Sequence, residues 1–312
     1  MREMLKEARA HKYAIGAFEF WSYDSAYAVT AAAKSLGVPA ILQVGPYEKD
    51  FMDGYKNAVA MAKMASDYFD LPVAIHLDHA EEYSEVVEAL EAGFTSVMID
   101  ASKYEFDKNV ELTCKVVEKA KEYGASVEAE IGKLAGNEGN IQNDEDDQTD
   151  PQMAADFVRQ TGIDCLAVAI GTAHGFYTRP PQINIDRLRE IAALVEIPLV
   201  LHGGSGTPED KVAEACVNGI AKVNICTEFI AAYGAGYNGQ NTEGFKYNVN
   251  SLFREGRNAG SALAKKKMEL FLSGRISSVT IGRYLRLKIK IYNERITAFC
   301  CTVFKNGKQR TY

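Results

Sequence analysis

The chain has 312 residues, with 35 Lys and Arg against 42 Asp and Glu, a formal charge of −7. At 47 % hydrophobic and 25 % charged residues it has the composition of a globular protein with a sizeable core. The acidic balance argues against a nucleic-acid partner, and no apolar run of about 18 residues occurs, so neither a membrane span nor a membrane partner is expected.

The opening MREMLKEARAHKYAIG is charged, helical in pattern and lacks the apolar stretch of a secretory signal. Six cysteines, at 114, 165, 216, 226, 300 and 301, include no CxxC pair. They predict a reduced, cytoplasmic protein. Charge is unevenly placed. Residues 275–312 carry net +8, which leaves −15 on residues 1–274. That shift predicts two parts, a domain over 1–274 and a basic C-terminal extension over 275–312.

Eight short apolar runs follow in order: Tyr13–Phe20, Pro39–Val44, Val73–His79, Ser96–Ala101, Ser126–Gly132, Cys165–His174, Pro198–His202 and Ala221–Thr227. Flanked by Gly and Pro, they read as buried parallel strands. Helical patterns lie between them. Phe106, Val110, Cys114 and Val117 share one face up to Gly124, and Val86, Val87, Leu90 and Phe94 repeat the pattern. Asp150-Pro151 supplies a cap and a first-turn proline, and Ile183–Val195 and Glu209–Asn218 complete the later pairs. Eight alternations predict a (β/α)8 TIM barrel. The alternative, a doubly wound sheet, lacks a GxGxxG after the first strand.

After the fifth strand, residues 133–150 (KLAGNEGNIQNDEDDQTD) hold six acidic residues and few apolar ones. A connection that long is a mobile lid or disorder, and the lid is the expectation. In the extension, Tyr284–Tyr292 (YLRLKIKIY) alternates apolar and basic residues, a β pattern with no partner in a barrel.

Four of five histidines fall near strand ends: His76 and His79 on the third, His174 on the sixth and His202 on the seventh. In such a barrel the carboxyl ends of all strands meet at one rim. Three imidazoles from three strands suit a zinc site with one open position. Asp78, Asp100, Glu128 and Glu130 sit on otherwise apolar strands, where an acid needs a cation, a donor or a histidine to orient. Gly-rich turns follow the seventh and eighth strands, HGGSG at 202–206 and NICTE at 224–228, where such barrels bind phosphate.

Six blocks, HLDHA (76–80), GFTSVMIDAS (93–102), VEAEIG (127–132), AVAIGTAHGFY (167–177), LVLHGGSG (199–206) and KVNICTE (222–228), resemble the class II, metal-dependent ketose-bisphosphate aldolases. The resemblance runs from residue 1 to 274 and implies a (β/α)8 fold and a homo-oligomer, a dimer or tetramer. It implies aldol cleavage of a ketose phosphate to dihydroxyacetone phosphate and an aldehyde. By it, His79, His174 and His202 correspond to the Zn2+ ligands and Asp78 to the acid/base on the hydroxyl proton. Glu138 corresponds to the acid/base at the enediolate carbon. Glu130 resembles an acidic residue that ligates the metal when substrate is absent, a role for which Asp100 is also a candidate. Gly175, Gly203, Ser205, Asn224 and Thr227 align with contacts to the dihydroxyacetone phosphate half, with Na+ or K+ nearby.

Four positions depart from the family pattern. Glu19 stands where asparagine is frequent, Gly45 where serine or threonine is common, Thr178 where lysine is frequent, and Cys226 in NICTE. They touch substrate rather than metal positions, so the expected preference is for a ketose phosphate other than fructose 1,6-bisphosphate. A Schiff-base mechanism would need a lysine, of which Lys133 is the nearest. The competing readings are a sugar-phosphate-binding barrel without turnover and a metal-dependent hydrolase.

Overall fold

The computed structural model describes residues 1–132, 148–175, 181–238 and 249–272, with the backbone of 135–138 and 141–143; the side chains of 174, 238 and 249–252 lie outside that description. Eight strands close into a barrel: β1 (Ile15–Glu19), β2 (Ala40–Val44), β3 (Val73–Ala80), β4 (Ser96–Ile99), β5 (Ser126–Ile131), then, past two short strands β6 (Ala135–Glu138) and β7 (Ile141–Asn143), β8 (Cys165–Val168). A further short strand β9 (Ala173–His174) precedes β10 (Leu199–Leu201) and β11 (Ile220–Ile225), and β11 pairs with β1 to complete the circle. Every barrel pairing is parallel, from Glu19↔Gln43 and Gln43↔His76 round to Ala17↔Asn224. This is the (β/α)8 barrel.

Helices α1 (Arg2–Ala10), α2 (Tyr23–Leu36), α3 (Pro46–Phe51), α4 (Tyr55–Phe69), α5 (Tyr83–Ala92), α6 (Phe106–Tyr123), α7 (Pro151–Thr161), α8 (Ile185–Leu194), α9 (Glu209–Val217), α10 (Thr227–Asn238) and α11 (Val249–Phe271) alternate with the strands. Their starts are written locally. Ser22 accepts from the Ser25 N–H while Ser25 accepts from the Ser22 N–H, a reciprocal cap that opens α2. Asp150 accepts from the Met153 N–H at 2.8 Å ahead of Pro151, as its sequence predicts. Small residues then let helices approach the strands closely: Ala26, Ala32 and Ala33 of α2 and Ala58, Ala62 and Ala65 of α4 are all buried. Among the described residues no helix is long and apolar enough to cross a membrane.

Two expectations need correction. The run Cys165–His174 is not one strand. The barrel strand stops at Val168, the chain turns through Gly171 at φ +100°, and a Cβ there would lie 2.2 Å from the Gln182 carbonyl oxygen. Segment 133–150 is not wholly loop either. β6 and β7 form an antiparallel hairpin (Gly136↔Asn143), and β9 joins it in parallel (Gly136↔His174). AGNE and IQN are too polar to register as apolar runs, so the hairpin has no hydrophobic signature. Residues 1–275 form one compact unit, and the extension with its Tyr284–Tyr292 alternation falls outside the described residues.

One side chain ties the first helix to the end of α8, just ahead of β10. The Arg9 guanidinium donates to the carbonyls of Ala192 (3.0 Å), Val195 and Ile197 at the end of α8. Helix carbonyls there have no intrahelical partner, and a guanidinium serves three at once. Arg9→Ala is expected to cost about 2–3 kcal/mol and lower Tm by roughly 5–10 °C in thermal unfolding. A melting curve superimposed on the wild type would show that water replaces the guanidinium.

Candidate active site

Alternation along β3 puts His76 and Asp78 on the barrel interior and would turn His79 outward. The register prevents that. β3 pairs Leu77 with Val97 and Ala80 with Ile99, three steps against two, so one residue is extra. His79 absorbs it at φ +43°, a left-handed conformation that costs a non-glycine residue about 1–3 kcal/mol. This bulge brings both Asp78 and His79 into the site.

His79 donates from Nδ1 to Asp100 Oδ2 at 2.9 Å, and Asp100 is itself held by the Ser102 N–H (3.1 Å) and hydroxyl (2.7 Å). Those donors and His79 outweigh burial and hold the Asp100 carboxyl below its usual range, so it is an acceptor, and in the neutral imidazole that a metal ligand must be it is Nε2 of His79 that carries the lone pair. His202, fully buried after β10, donates from Nε2 to Glu128 Oε1 at 2.8 Å, which leaves its Nδ1 unprotonated as well. The two unprotonated nitrogens lie 2.7 Å apart, with the rings perpendicular. Two neutral lone pairs repel at that separation, and burial lowers the His202 pKa.

The surroundings fit a divalent cation. Glu130 Oε2 is buried without a hydrogen-bond partner, 3.9 Å from His202 Nδ1. Burial and the neighbouring Asp100 push its carboxyl well above the usual range, a penalty that a positive ion would remove. Asp78, His79 and His202 form one group able to hold an ion, and His79, Asp100 and Glu130 form another. Of the buried carboxyls of Asp78, Asp100, Glu128 and Glu130, the ammonium of Lys222 pairs with Asp78 and Glu128.

Asp78 is held from both sides. Gln43 donates to its Oδ2 at 2.9 Å, and Asn224 donates to Oδ1 and Oδ2 at 3.2 and 3.0 Å. Burial alone would raise its pKa; His79, Lys222 and His76 outweigh burial and hold it well below the ordinary carboxylate range. Asp78 is therefore a fixed carboxylate beside the two imidazoles. The carbonyl oxygens of those two carboxamides, Gln43 Oε1 and Asn224 Oδ1, are buried without partners, which leaves acceptors for hydroxyl groups at this end of the barrel.

The glycine-rich turns after β10 and β11 adjoin the site. Gly203 sits at φ +63°, where a Cβ would meet the Ala173 carbonyl oxygen at 2.4 Å, and Gly204 donates its N–H to the Asn224 carbonyl. Ser205 Oγ accepts from the Glu228 N–H at 3.2 Å beside Thr227, the first residue of α10. Gly175 follows β9. His174 and Glu138 are placed only by backbone, on β9 and β6, and Lys133 and Thr178 lie outside the described residues. Cys226 follows β11 and is half-buried.

Gln43 and Lys222 escape the sequence criteria. Each is a polar residue inside a run read as apolar, PAILQV and AKVNICT, and each is fully buried. The cost argument applied to the acids of β5 would have flagged both. Lys222 Nζ lies 2.9 Å from Glu128 Oε2 and 3.3 Å from His76 Nε2. His76 Nδ1 lies 2.8 Å from Ser96 Oγ, deep in the barrel rather than at the rim.

The family model of class II fructose-bisphosphate aldolase matches residues 1–275. The chain belongs to that family. It is 42 % identical over 230 residues to the fructose-bisphosphate aldolase of Geobacillus stearothermophilus, covering 73 % of this chain and 80 % of that one. The probable fructose-bisphosphate aldolase of Bacillus subtilis strain 168 is 41 % identical over the same length, covering 73 % and 81 %. Among solved structures, the YdjI aldolase of Escherichia coli K12 superposes with a TM-score of 0.77 at 33 % identity, covering 88 % of this chain and 98 % of that one. A putative fructose-1,6-bisphosphate aldolase from Coccidioides immitis gives 0.79 at 30 % identity, covering 87 % and 95 %. The protein is a class II aldolase, a carbon–carbon lyase, and its family implies a divalent metal and a sugar-phosphate substrate.

Proposed function

We propose that this aldolase uses zinc to cleave a ketose phosphate into dihydroxyacetone phosphate and an aldehyde, and that fructose 1,6-bisphosphate is not its preferred substrate. The observation that carries the chemistry is the pair of unprotonated nitrogens, His79 Nε2 and His202 Nδ1, converging beside the fixed carboxylate of Asp78. Imidazole donors with one further ligand suit zinc, and His174 supplies the third nitrogen. Zinc bound there supplies Lewis acidity, stabilising the electron density that cleavage leaves on the ketone half.

The protein's own groups do the rest. Asp78 takes the proton of the hydroxyl whose carbon becomes the aldehyde, held in line by Gln43 and Asn224. Glu138, carried on the proposed lid over 133–150, exchanges the proton at the carbon of the ketone half. Gly175, Gly203, Ser205, Asn224 and Thr227 line the side that holds the phosphate of the dihydroxyacetone half, with Na+ or K+ beside it. Glu130 and Asp100 act as reserve or orienting carboxylates. The barrel over 1–274 works as a dimer or tetramer in the cytoplasm, with 275–312 as a separate extension.

The substrate preference rests on two of the departures, which are joined. Glu19 accepts from the Gly45 N–H at 2.9 Å and from Gln43 at 3.0 Å. A Cβ at Gly45 would lie 2.9 Å from Glu48 Oε2, the far end of a side chain that can swing aside, so the link between the two positions is the Gly45 N–H to Glu19 rather than lack of space. A carboxylate and a bare glycine thus occupy positions where the family commonly carries neutral polar side chains, and a carboxylate disfavours a nearby phosphate. Release of dihydroxyacetone phosphate across a panel of ketose phosphates tests this. The expected result is a higher kcat/KM for at least one other member than for fructose 1,6-bisphosphate; the highest value for fructose 1,6-bisphosphate would refute the preference while leaving the aldolase chemistry intact.

A further inference from the structure

We propose that Lys267 is a positioning residue for the substrate's phosphate group: it neutralises Glu228 at the start of α10 and so keeps the turn around Ser205 open to an anion. The inference rests on the phosphate site proposed above.

On α11, Lys267 lies three residues after Ala264 and four before Phe271, both fully buried, so it falls on the buried stripe of the helix. Its own side chain is 4 % exposed. An ammonium in that position needs an opposite charge, and Nζ lies 2.6 Å from Glu228 Oε2. The contact is between charges rather than along an aligned hydrogen bond.

Glu228 is the second residue of α10, and its N–H donates to Ser205 Oγ at 3.2 Å. That backbone bond serves the site, because a hydroxyl that accepts from Glu228 keeps its own hydrogen for a phosphate oxygen. The side chain works against it. A carboxylate in the first turn takes up the favourable potential of the helix N-terminus, the same potential that draws phosphate there. It also stays within a Debye length, roughly 8–10 Å, of Ser205, since the residue's own nitrogen touches that hydroxyl. Lys267 removes the conflict: the backbone donor remains and the charge beside it is cancelled. The neighbouring Lys266 supplies a comparison on the same helix. It meets Glu209, the first residue of α9, at 2.5 Å, but the two side chains are 64 % and 48 % exposed, so water and salt screen that pair.

The test measures binding of inorganic phosphate to the full chain by 31P line broadening, with KM and kcat for the ketose phosphate that the panel favours. Ser205→Ala checks the site itself: unchanged phosphate binding there would overturn the phosphate site, whatever Lys267 does. Lys267→Met is expected to weaken phosphate binding and raise KM about 10-fold, with kcat within a factor of about two. Its deficit against wild type should shrink at about 1 M salt, where charges this far apart are screened. Lys266→Met is expected to change either value less than about threefold. Glu228→Gln keeps the N–H without the charge and should bind phosphate at least as tightly as wild type. Lys267→Met/Glu228→Gln should return to within about threefold of wild type. A pair that merely braces α10 against α11 gives a different pattern, with Glu228→Gln weakened like Lys267→Met and the double variant no better. Either of those results would overturn the proposal, as would a folded Lys267→Met within about threefold of wild type, or a Lys266→Met as weak as Lys267→Met. If Lys267→Met does not fold, Glu228→Gln and the double variant decide by the same criteria.

Discussion

Asp78→Asn is expected to lower the turnover number for dihydroxyacetone phosphate release roughly 1000-fold, within the range for loss of a general acid–base group. The replacement is nearly isosteric, but it puts an amide where Gln43 and Asn224 both present donors. Whichever way it turns, it cannot take a proton from the substrate hydroxyl. Metal content should stay at the wild-type level, because His79 and His202 keep their own carboxylate partners, Asp100 and Glu128. Steady-state kinetics and metal analysis on one preparation check both halves. Turnover above about a tenth of wild type with metal bound would remove Asp78 from the proton step.

The second large effect concerns the metal. His202→Ala should weaken zinc binding by more than the roughly 10–100-fold that loss of an outer partner costs, because it deletes a ligand itself. The Lys222–Glu128 ion pair survives, so the barrel interior keeps its balance and the variant should fold. Competition with a chromogenic chelator measures the affinity. Zinc binding within a factor of about three of wild type would place the metal elsewhere, in the group of His79, Asp100 and Glu130 or that of His76, Asp78 and Glu128.

What the sequence shows and what it hides follow from the same physics. Buried parallel strands are apolar runs bounded by turn residues, so all eight barrel strands are visible, and Asp150-Pro151 and Gly124 mark helix ends because caps are local chemistry. The last residues of the sixth run mislead. Alternation and composition carry no sign that the chain leaves the barrel after Val168 to pair His174 with the β6–β7 hairpin. His79 was legible as a ligand by resemblance, but its inward direction depends on a bulge and a φ of +43°, which no periodicity contains. Gln43 and Lys222 were hidden by their neighbours. A single polar residue in an apolar strand looks like noise until the barrel closes and brings it within 3 Å of an acid on another strand.

The most direct test is chelation and metal restoration of one purified sample, followed by release of dihydroxyacetone phosphate from whichever ketose phosphate the panel favours. Metal-free protein should lose its activity, and stepwise zinc should restore it in proportion to the zinc bound at His79 and His202. Full turnover by protein shown to be free of metal would contradict a site built around two converging imidazole nitrogens.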